Sequence, residues 1–183
     1  MSTVEVGMVV AERYRLERRM SEGGIGSLWR AQDLRAGYTC AVRLGDGAAG
    51  SREEILDRFR AEAEAVATIR CTHVLDVYDH GEHDELPFLV TEHVEGEDLG
   101  ARLRREGRLQ PSVAYDLAVQ IAKALSRAHA ANIVHGDLKP EHVLLVEAEG
   151  RSTAKVFNFN LTQRAREVGV ASGFQCCLTI QYF

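Results

Sequence analysis

The sequence predicts an α+β fold, and three stretches support this prediction. Residues 38–44 form a short apolar run that is typical of a buried strand. Residues 51–70 begin with Ser-Arg-Glu-Glu, a capping box, and predict a helix. Residues 111–131 predict a longer helix, because its first position is a proline and a broad apolar face follows. The apolar face of the first helix consists of Ile55, Phe59, Val66 and Ile69.

Composition and charge narrow the class of protein. The chain has 183 residues, of which 45% are hydrophobic and 27% charged, as in an ordinary soluble globular protein. Its net charge of −5 argues against nucleic acid or an anionic membrane as the main partner. No apolar run follows Met1 and none reaches about 18 residues, so we expect neither a signal peptide nor a membrane span. The cysteines at positions 40, 71, 176 and 177 lack disulfide or zinc spacing, which predicts a cytoplasmic location.

Two motifs in the second half of the chain indicate which α+β fold the chain adopts. Residues 134–145, V-H-G-D-L-K-P-E-H-V-L-L, predict a strand, a polar loop and a second strand, and residues 155–160, K-V-F-N-F-N, predict a strand entering a turn. Together they resemble the catalytic loop and metal-binding turn of eukaryotic-type Ser/Thr protein kinases. The resemblance implies an N-terminal antiparallel sheet lobe with helix C over residues 1–93. It also implies an incomplete, mainly helical C-lobe over residues 94–183, ending before the A-P-E motif.

The resemblance assigns catalytic positions, and two of them depart from the pattern. Asp137 matches the catalytic base and Lys139 the lysine that contacts the transferred phosphate, whereas His142 replaces a metal-binding Asn and Asn158 the Asp of Asp-Phe-Gly. Mg²⁺ prefers anionic oxygen, but Asn158 offers a neutral oxygen and His142 a nitrogen. We therefore predict that the chain is not an enzyme, with Asp137 and Lys139 vestigial. We expect no bound metal and weak or absent ATP binding.

The N-terminal half resembles the nucleotide pocket of the same family. The motif S-E-G-G-I-G at residues 21–26 resembles the glycine-rich hairpin that covers ATP, with Ser21 in place of the first glycine. Arg43 stands where the family has a phosphate-binding lysine, which is not a conservative exchange. Thr91 matches the gatekeeper, and residues 92–94 match the hinge between the lobes. The vestigial pocket implied by the resemblance comprises Gly23, Gly26, Leu28, Ala41, Arg43, Glu62, Thr91 and Glu92.

Glu62 lies within the apolar stripe of the helix predicted at residues 51–70. A buried carboxylate needs a partner because desolvating its charge is costly. Glu62 also matches the helix-C glutamate of kinases, so we predict an ion pair between Glu62 and Arg43. The alternative is a glutamate at the edge of the stripe that reaches solvent.

Further elements are predicted from local signals. Residues 74–78 and 87–93 predict two strands joined by a turn at residues 81–85. Asp98 is a predicted helix cap, and Gly107 a predicted helix terminator.

The chain ends within a segment, residues 178–183, that resembles the G-T-x-x-Y-M preceding A-P-E in kinases. The kinase helices that cover the 111–131 helix would then be missing, and an uncovered apolar face predicts an interface. We predict a homodimer, with a folded-back tail or another protein as alternative covers. The predicted interface residues are Leu117, Ile121, Leu125, Tyr182 and Phe183.

The function predicted from these features is that of a truncated pseudokinase acting as a protein-interaction or regulatory module. Two alternatives stay open: a weak or unconventional ATP-dependent phosphotransferase, and a nucleotide-binding switch without turnover. Gly136 in H-G-D-L also resembles small-molecule kinases, but Lys139-Pro140-Glu141 favours the protein-kinase branch. A zinc site formed by His142, Asp137 and a nearby cysteine is a weaker alternative, because the spacing is not that of a dedicated site.

Overall fold

Two antiparallel sheets organise the chain in the computed structural model, which describes residues 4–23, 26–46, 50–148 and 150–159. The larger sheet has six strands in the order β1-β2-β3-β4-β6-β5, and the smaller has the order β7-β8-β9. The predicted lobe boundary after residue 93 falls between the two sheets. The strands are β1 (Val9–Val10), β2 (Tyr14–Glu22), β3 (Ser27–Asp33), β4 (Thr39–Leu44), β5 (Val77–His83), β6 (Leu86–Glu92), β7 (Glu97–Asp98), β8 (Val143–Ala148) and β9 (Arg151–Val156).

Helix α1 (Arg52–Thr68) packs against the larger sheet. Its capping box is formed as predicted: Ser51 Oγ accepts a hydrogen bond from the Glu54 amide, and Glu54 Oε2 accepts one from the Ser51 amide. Ile55 and Phe59 are buried against Leu89 of β6. The helix therefore starts where local sequence specifies it and is held by its apolar face.

Helices α2 (Leu99–Glu106) and α3 (Pro111–Ala130) lie beside the smaller sheet. Asp98 caps α2 by accepting a 2.7 Å hydrogen bond from the Ala101 amide, and Gly107 ends α2 with a φ of 74°. Gln120 fixes α3 to β9, since its amide group accepts from the Ala154 N–H and donates to the Ser152 carbonyl. No helix within the described ranges combines the length and the apolar character that a membrane crossing requires.

The hairpin between β5 and β6 differs from the prediction. Its turn is confined to Asp84 and Glu85, which have φ values of 48° and 65° and are the last two of the predicted residues 81–85. Positive φ at both central positions matches the twist of a two-residue hairpin. Gly81 instead lies within β5 beside the Phe88 ring, which a Cβ at this position would approach to 3.1 Å. The glycine thus makes room for an aromatic ring and does not form the turn.

The strand predicted at the start of the 134–145 motif is absent from the described residues, because Val134 lies in irregular backbone. Gly136 has a φ of 78°, which an extended strand cannot accommodate. A 3₁₀ turn at Pro140–His142 follows, and β8 starts at Val143. The loop is therefore flanked by a regular strand on one side only.

The predicted interface on α3 is wrong at Leu117. This side chain is buried between α3 and the smaller sheet, where it contacts Val143, Leu145 and Ala154. Ile121 is half-buried against the same core, and Leu125 is also half-buried. The exposed side of α3 instead carries Tyr115, which is 71% exposed. Tyr182 and Phe183, like the rest of the predicted apolar tail, lie outside the described residues.

Candidate active site

The glycine-rich hairpin joins β2 to β3. Gly23 and Gly26 exchange two backbone hydrogen bonds of 2.8 and 3.1 Å, which close the turn. A Cβ on Gly26 would lie 1.9 Å from the Leu44 carbonyl oxygen, so no other residue fits without movement. Asp46 holds the base of β3 by accepting hydrogen bonds from the amide and hydroxyl of Ser27. No signal in the 21–26 motif indicates this bond, because Asp46 lies beyond the motif.

The predicted pocket residues of β4 and β6 meet at the strand pairing beneath this hairpin. Ala41 lies opposite Thr91, and both are buried. The Thr91 hydroxyl donates to the Glu92 carbonyl oxygen at 3.2 Å. Leu28 of β3 lies opposite Arg43 of β4. Leu28, Ala41 and Thr91, three of the predicted pocket residues, therefore lie on the adjacent strands β3, β4 and β6.

Arg43 and Glu62 form the predicted ion pair. Arg43 Nη1 lies 3.5 Å from Glu62 Oε2, and both side chains are largely buried. Burial raises the pKa of the Glu62 carboxyl, whereas the Arg43 charge and the Asn158 amide act in the opposite direction. The other carboxylate oxygen of Glu62 accepts the backbone N–H of Asn158 at 3.0 Å. Glu62 thus connects β4 and α1 to the position of the family's metal-binding Asp.

The catalytic-loop residues Asp137 and Lys139 also lie together. Lys139 Nζ lies 3.0 Å from Asp137 Oδ2, and the Asp137 side chain is 45% exposed. The hydrogen bond from Lys139 lowers the pKa of Asp137, so the carboxylate is ionised at neutral pH. An accessible, ionised carboxylate with an adjacent ammonium group can accept a proton from a hydroxyl and place positive charge beside a phosphate.

Two histidines organise the loop around Asp137. His135 is buried, and its Nε2 lies 2.9 Å from the Phe157 carbonyl oxygen, to which it donates. Burial lowers the pKa of His135, so its ring is neutral. His142 Nδ1 lies 2.7 Å from the Asp137 carbonyl oxygen. The Phe157 amide donates to the His142 carbonyl at 3.1 Å, which ties the loop to the turn containing Asn158.

Asn158 has a φ of 60°, a left-handed conformation that asparagine adopts more readily than most residues. Its amide oxygen is a suitable, though neutral, magnesium ligand. Mg²⁺ at phosphoryl-transfer sites is held by one or two protein groups together with substrate phosphates and water. Within the described ranges, no group of three His, Cys, Asp or Glu side chains forms a metal site. The residues present therefore fit a divalent ion held mainly by the phosphates of a nucleotide.

An ion pair that the sequence analysis missed connects the predicted hinge to β9. Lys155 Nζ lies 2.6 Å from Glu92 Oε1, and the two side chains are 15% and 14% exposed. The same Glu92 oxygen accepts the Asp76 amide at 2.9 Å. Glu92 belongs to the strand predicted at residues 87–93 and Lys155 to the K-V-F-N-F-N motif, and no local pattern pairs the two residues.

Comparisons with known proteins agree with this arrangement. The chain is 35% identical over 182 residues to the serine/threonine-protein kinase PknA of Mycobacterium tuberculosis, covering 97% of this chain and 42% of the relative. It is 32% identical over 175 residues to a probable serine/threonine-protein kinase pknA2 of Bifidobacterium longum, covering 94% of this chain and 23% of the relative. The chain thus spans less than half the length of these relatives.

The PknI kinase domain of Mycobacterium tuberculosis shares the fold. Its crystal structure superposes with a TM-score of 0.72 at 25% identity, covering 88% of this chain and 64% of that domain. A second crystal structure of the same domain gives a TM-score of 0.70 at 26% identity, with coverages of 86% and 62%.

These relatives contradict two of our predictions. They are named as serine/threonine-protein kinases, which are enzymes, so the prediction of a non-enzyme is wrong. The prediction of weak or absent ATP binding and no Mg²⁺ is wrong on the same ground, because such kinases transfer phosphate from ATP with Mg²⁺. Both predictions depended on the substitutions at His142 and Asn158, whereas Asp137, Lys139 and Glu62 match the family pattern.

The family model for the protein kinase domain matches residues 14–183 of the chain. Its match includes the glycine-rich hairpin, the Arg43–Glu62 ion pair and the loop with Asp137. The chain therefore belongs to the protein kinase domain family, among the eukaryotic-type Ser/Thr protein kinases of bacteria.

Proposed function

We propose that this chain is the ATP-binding and phosphoryl-transfer core of a Ser/Thr protein kinase, with a rate reduced by its altered metal positions. One observation carries the proposal: the chain of contacts from Arg43 through Glu62 to Asn158. In protein kinases, the ion pair between the strand cation and the helix-C glutamate must be in place for transfer. Here that pair is formed, and it is linked directly to the turn beside the catalytic loop.

In the proposed reaction, the oxygen of a Ser or Thr hydroxyl attacks the γ-phosphorus of ATP. The bond between this phosphorus and the β-phosphate oxygen breaks, releasing ADP. The hydroxyl proton passes to the Asp137 carboxylate, which its lowered pKa keeps ionised. Lys139, 3.0 Å from Asp137, supplies positive charge beside the transferred group. When bound, the divalent ion neutralises charge on the phosphates.

The reduced rate follows from Asn158. Replacing a carboxylate beside a divalent ion by a neutral amide removes several kcal/mol of electrostatic stabilisation. Because about 1.4 kcal/mol corresponds to a factor of ten in rate, the rate falls by a factor of about a hundred or more. The retained base and ion pair support activity above background.

Transfer of labelled γ-phosphate to a Ser- and Thr-rich protein substrate tests the proposal. We expect transfer by the unaltered chain and a loss of about a hundredfold in Asp137→Asn. Asp116→Asn is the matched control, because Asp116 is an exposed aspartate on α3. ATP binding without any transfer would overturn the proposed function and favour a nucleotide-binding switch.

Self-association and a cytoplasmic location stay predictions. A dimer through α3 would use its exposed side, with Tyr115, since Leu117 is buried. We expect Tyr115→Glu to shift the sedimentation of the chain toward the monomer at low micromolar concentration. If the unaltered chain already sediments as a monomer, the predicted dimer is contradicted.

A further inference from the structure

We propose that His142 donates its Nε2 atom as a ligand to the divalent ion that accompanies the nucleotide. The chain should therefore favour a first-row transition ion such as Mn²⁺ or Co²⁺ over Mg²⁺ more strongly than the same chain with asparagine at this position. This inference rests on the proposed function, because the ion is held jointly with the phosphates of ATP.

The hydrogen bond at Nδ1 determines which nitrogen of His142 is available. Nδ1 lies 2.7 Å from the Asp137 carbonyl oxygen, which can only accept a hydrogen bond. Nδ1 therefore carries the proton, and in the neutral ring the electron pair is on Nε2. Within the described part of the chain, no hydrogen bond engages Nε2. A ring nitrogen that donates to a backbone carbonyl is the usual means of orienting a metal-binding histidine.

Neighbouring rings hold the His142 side chain in place. Its ring is stacked on His135 at a centroid distance of 6.0 Å and an angle of 27°. The Phe157 ring lies 5.8 Å away on a tilted plane. The side chain keeps 13% exposure. A ligand fixed in this way loses little conformational entropy when it binds an ion.

The backbone beside Asn158 is tied to the same cluster. The backbone of Asn158 follows Phe157, whose amide donates to the His142 carbonyl at 3.1 Å. Glu62 holds the backbone N–H of Asn158 at 3.0 Å, which fixes the backbone from the other side. Positions 142 and 158 thus carry an imidazole and an amide side chain in place of a carboxamide and a carboxylate, and the Asp137 carboxylate lies 3.6 Å from the other ring nitrogen of His142, Nδ1.

This donor set distinguishes between cations. Mg²⁺ prefers oxygen ligands in near-octahedral geometry, so a nitrogen contributes little to its binding. First-row transition ions accept imidazole, and their affinity for a mixed nitrogen and oxygen site rises from Mn²⁺ to Co²⁺. Histidine at a position where the family has asparagine therefore changes which cation the site prefers. A cation still binds together with the nucleotide.

Titration calorimetry of ATP binding in the presence of Mg²⁺, Mn²⁺ or Co²⁺ tests this inference. For each chain, the dissociation constant of ATP measured with Mg²⁺ is divided by the one measured with Mn²⁺ or Co²⁺. The resulting ratio is compared between the unaltered chain and His142→Asn. Comparing the two ratios cancels the different affinities of the cations for ATP itself. We expect the ratio to fall by about tenfold in the variant, the scale on which changes around a metal ligand alter affinity.

A spectroscopic measurement needs no variant and so does not depend on how His142→Asn folds. The Mn²⁺·ATP complex of the chain labelled with ¹⁵N-histidine is examined by electron spin-echo envelope modulation. We expect modulation from one histidine nitrogen. Its absence, or equal ratios in the two chains, would overturn this inference and leave the proposed function intact. A lack of ATP binding with every cation would overturn both.

Discussion

Lys155 of β9 and Glu92 at the end of β6 form an ion pair with an N–O distance of 2.6 Å. The pair connects the larger sheet to the smaller sheet, at the boundary between the two lobes. Glu92 also accepts the Asp76 amide, so three separate segments meet at one carboxylate. This contact therefore ties the end of β6 to β9 and to the segment before β5.

Lys155→Met is expected to lower the free energy of unfolding by about 2 kcal/mol, because it leaves a largely buried carboxylate without its cation. Urea denaturation measures this change. Combining the substitution with Glu92→Leu should recover most of the loss, since two apolar side chains replace the pair. A double variant as unstable as the sum of the single variants would show that the two residues are not coupled.

Asn158→Asp is expected to raise phosphate transfer with Mg²⁺ by about a hundredfold, because it restores a carboxylate beside the cation. A labelled-phosphate assay with ATP measures the rate. Asn132→Asp provides the control, since Asn132 is exposed and has a similar left-handed φ of 58°. Equal rates for the two variants would contradict a metal role for position 158.

Asp33 gives the N-terminal lobe a specific acid sensitivity. Arg13 donates hydrogen bonds to both of its carboxylate oxygens and lowers the pKa of Asp33 to about 2, from an ordinary value of 3.8. The pKa of Asp33 is lower in the folded chain than in the unfolded chain. The ion pair therefore stabilises the fold above pH 3.8, and this stabilisation is lost as the pH falls toward 2.

The urea midpoint of the unaltered chain should therefore fall through this pH range. Asp33→Asn should flatten that part of the profile, whereas Asp57→Asn, on an exposed side chain of α1, should leave it unchanged. An unaltered slope in Asp33→Asn would show that another group causes the acid sensitivity.

Gly26→Ala is expected to cost more stability than Gly37→Ala, although both glycines have positive φ. A Cβ at Gly37 meets no atom within 4 Å, so its cost is that of the left-handed backbone, about 1 kcal/mol. At Gly26 the Cβ would also collide with the Leu44 carbonyl, which we expect to raise the cost to about 3 kcal/mol. Thermal unfolding compares the two variants. Equal losses would show that the hairpin can move away from Leu44.

Short sequence patterns were sufficient to predict the local elements and the outline of the site. The capping box at Ser51, the cap at Asp98 and the terminator Gly107 depend on bonds between residues a few positions apart, so short patterns specify them. The pair between Arg43 and Glu62 was predictable because a buried glutamate needs a cation and the family resemblance supplied one. These predictions did not require knowledge of how the lobes meet.

The tertiary structure decided the contacts between distant segments. Glu92 and Lys155 are 63 positions apart, and Glu62 and Asn158 are 96 apart, so neither contact has a local signal. The same holds for Leu117, which the helical pattern marks as apolar without stating which neighbour covers it. Periodicity gives the face of a helix, whereas its partner depends on how the whole chain packs. The available nitrogen of His142 depends on a bond to Asp137 only five positions away, but the residue pattern does not state which ring nitrogen makes it, so the folded loop was needed to identify Nε2.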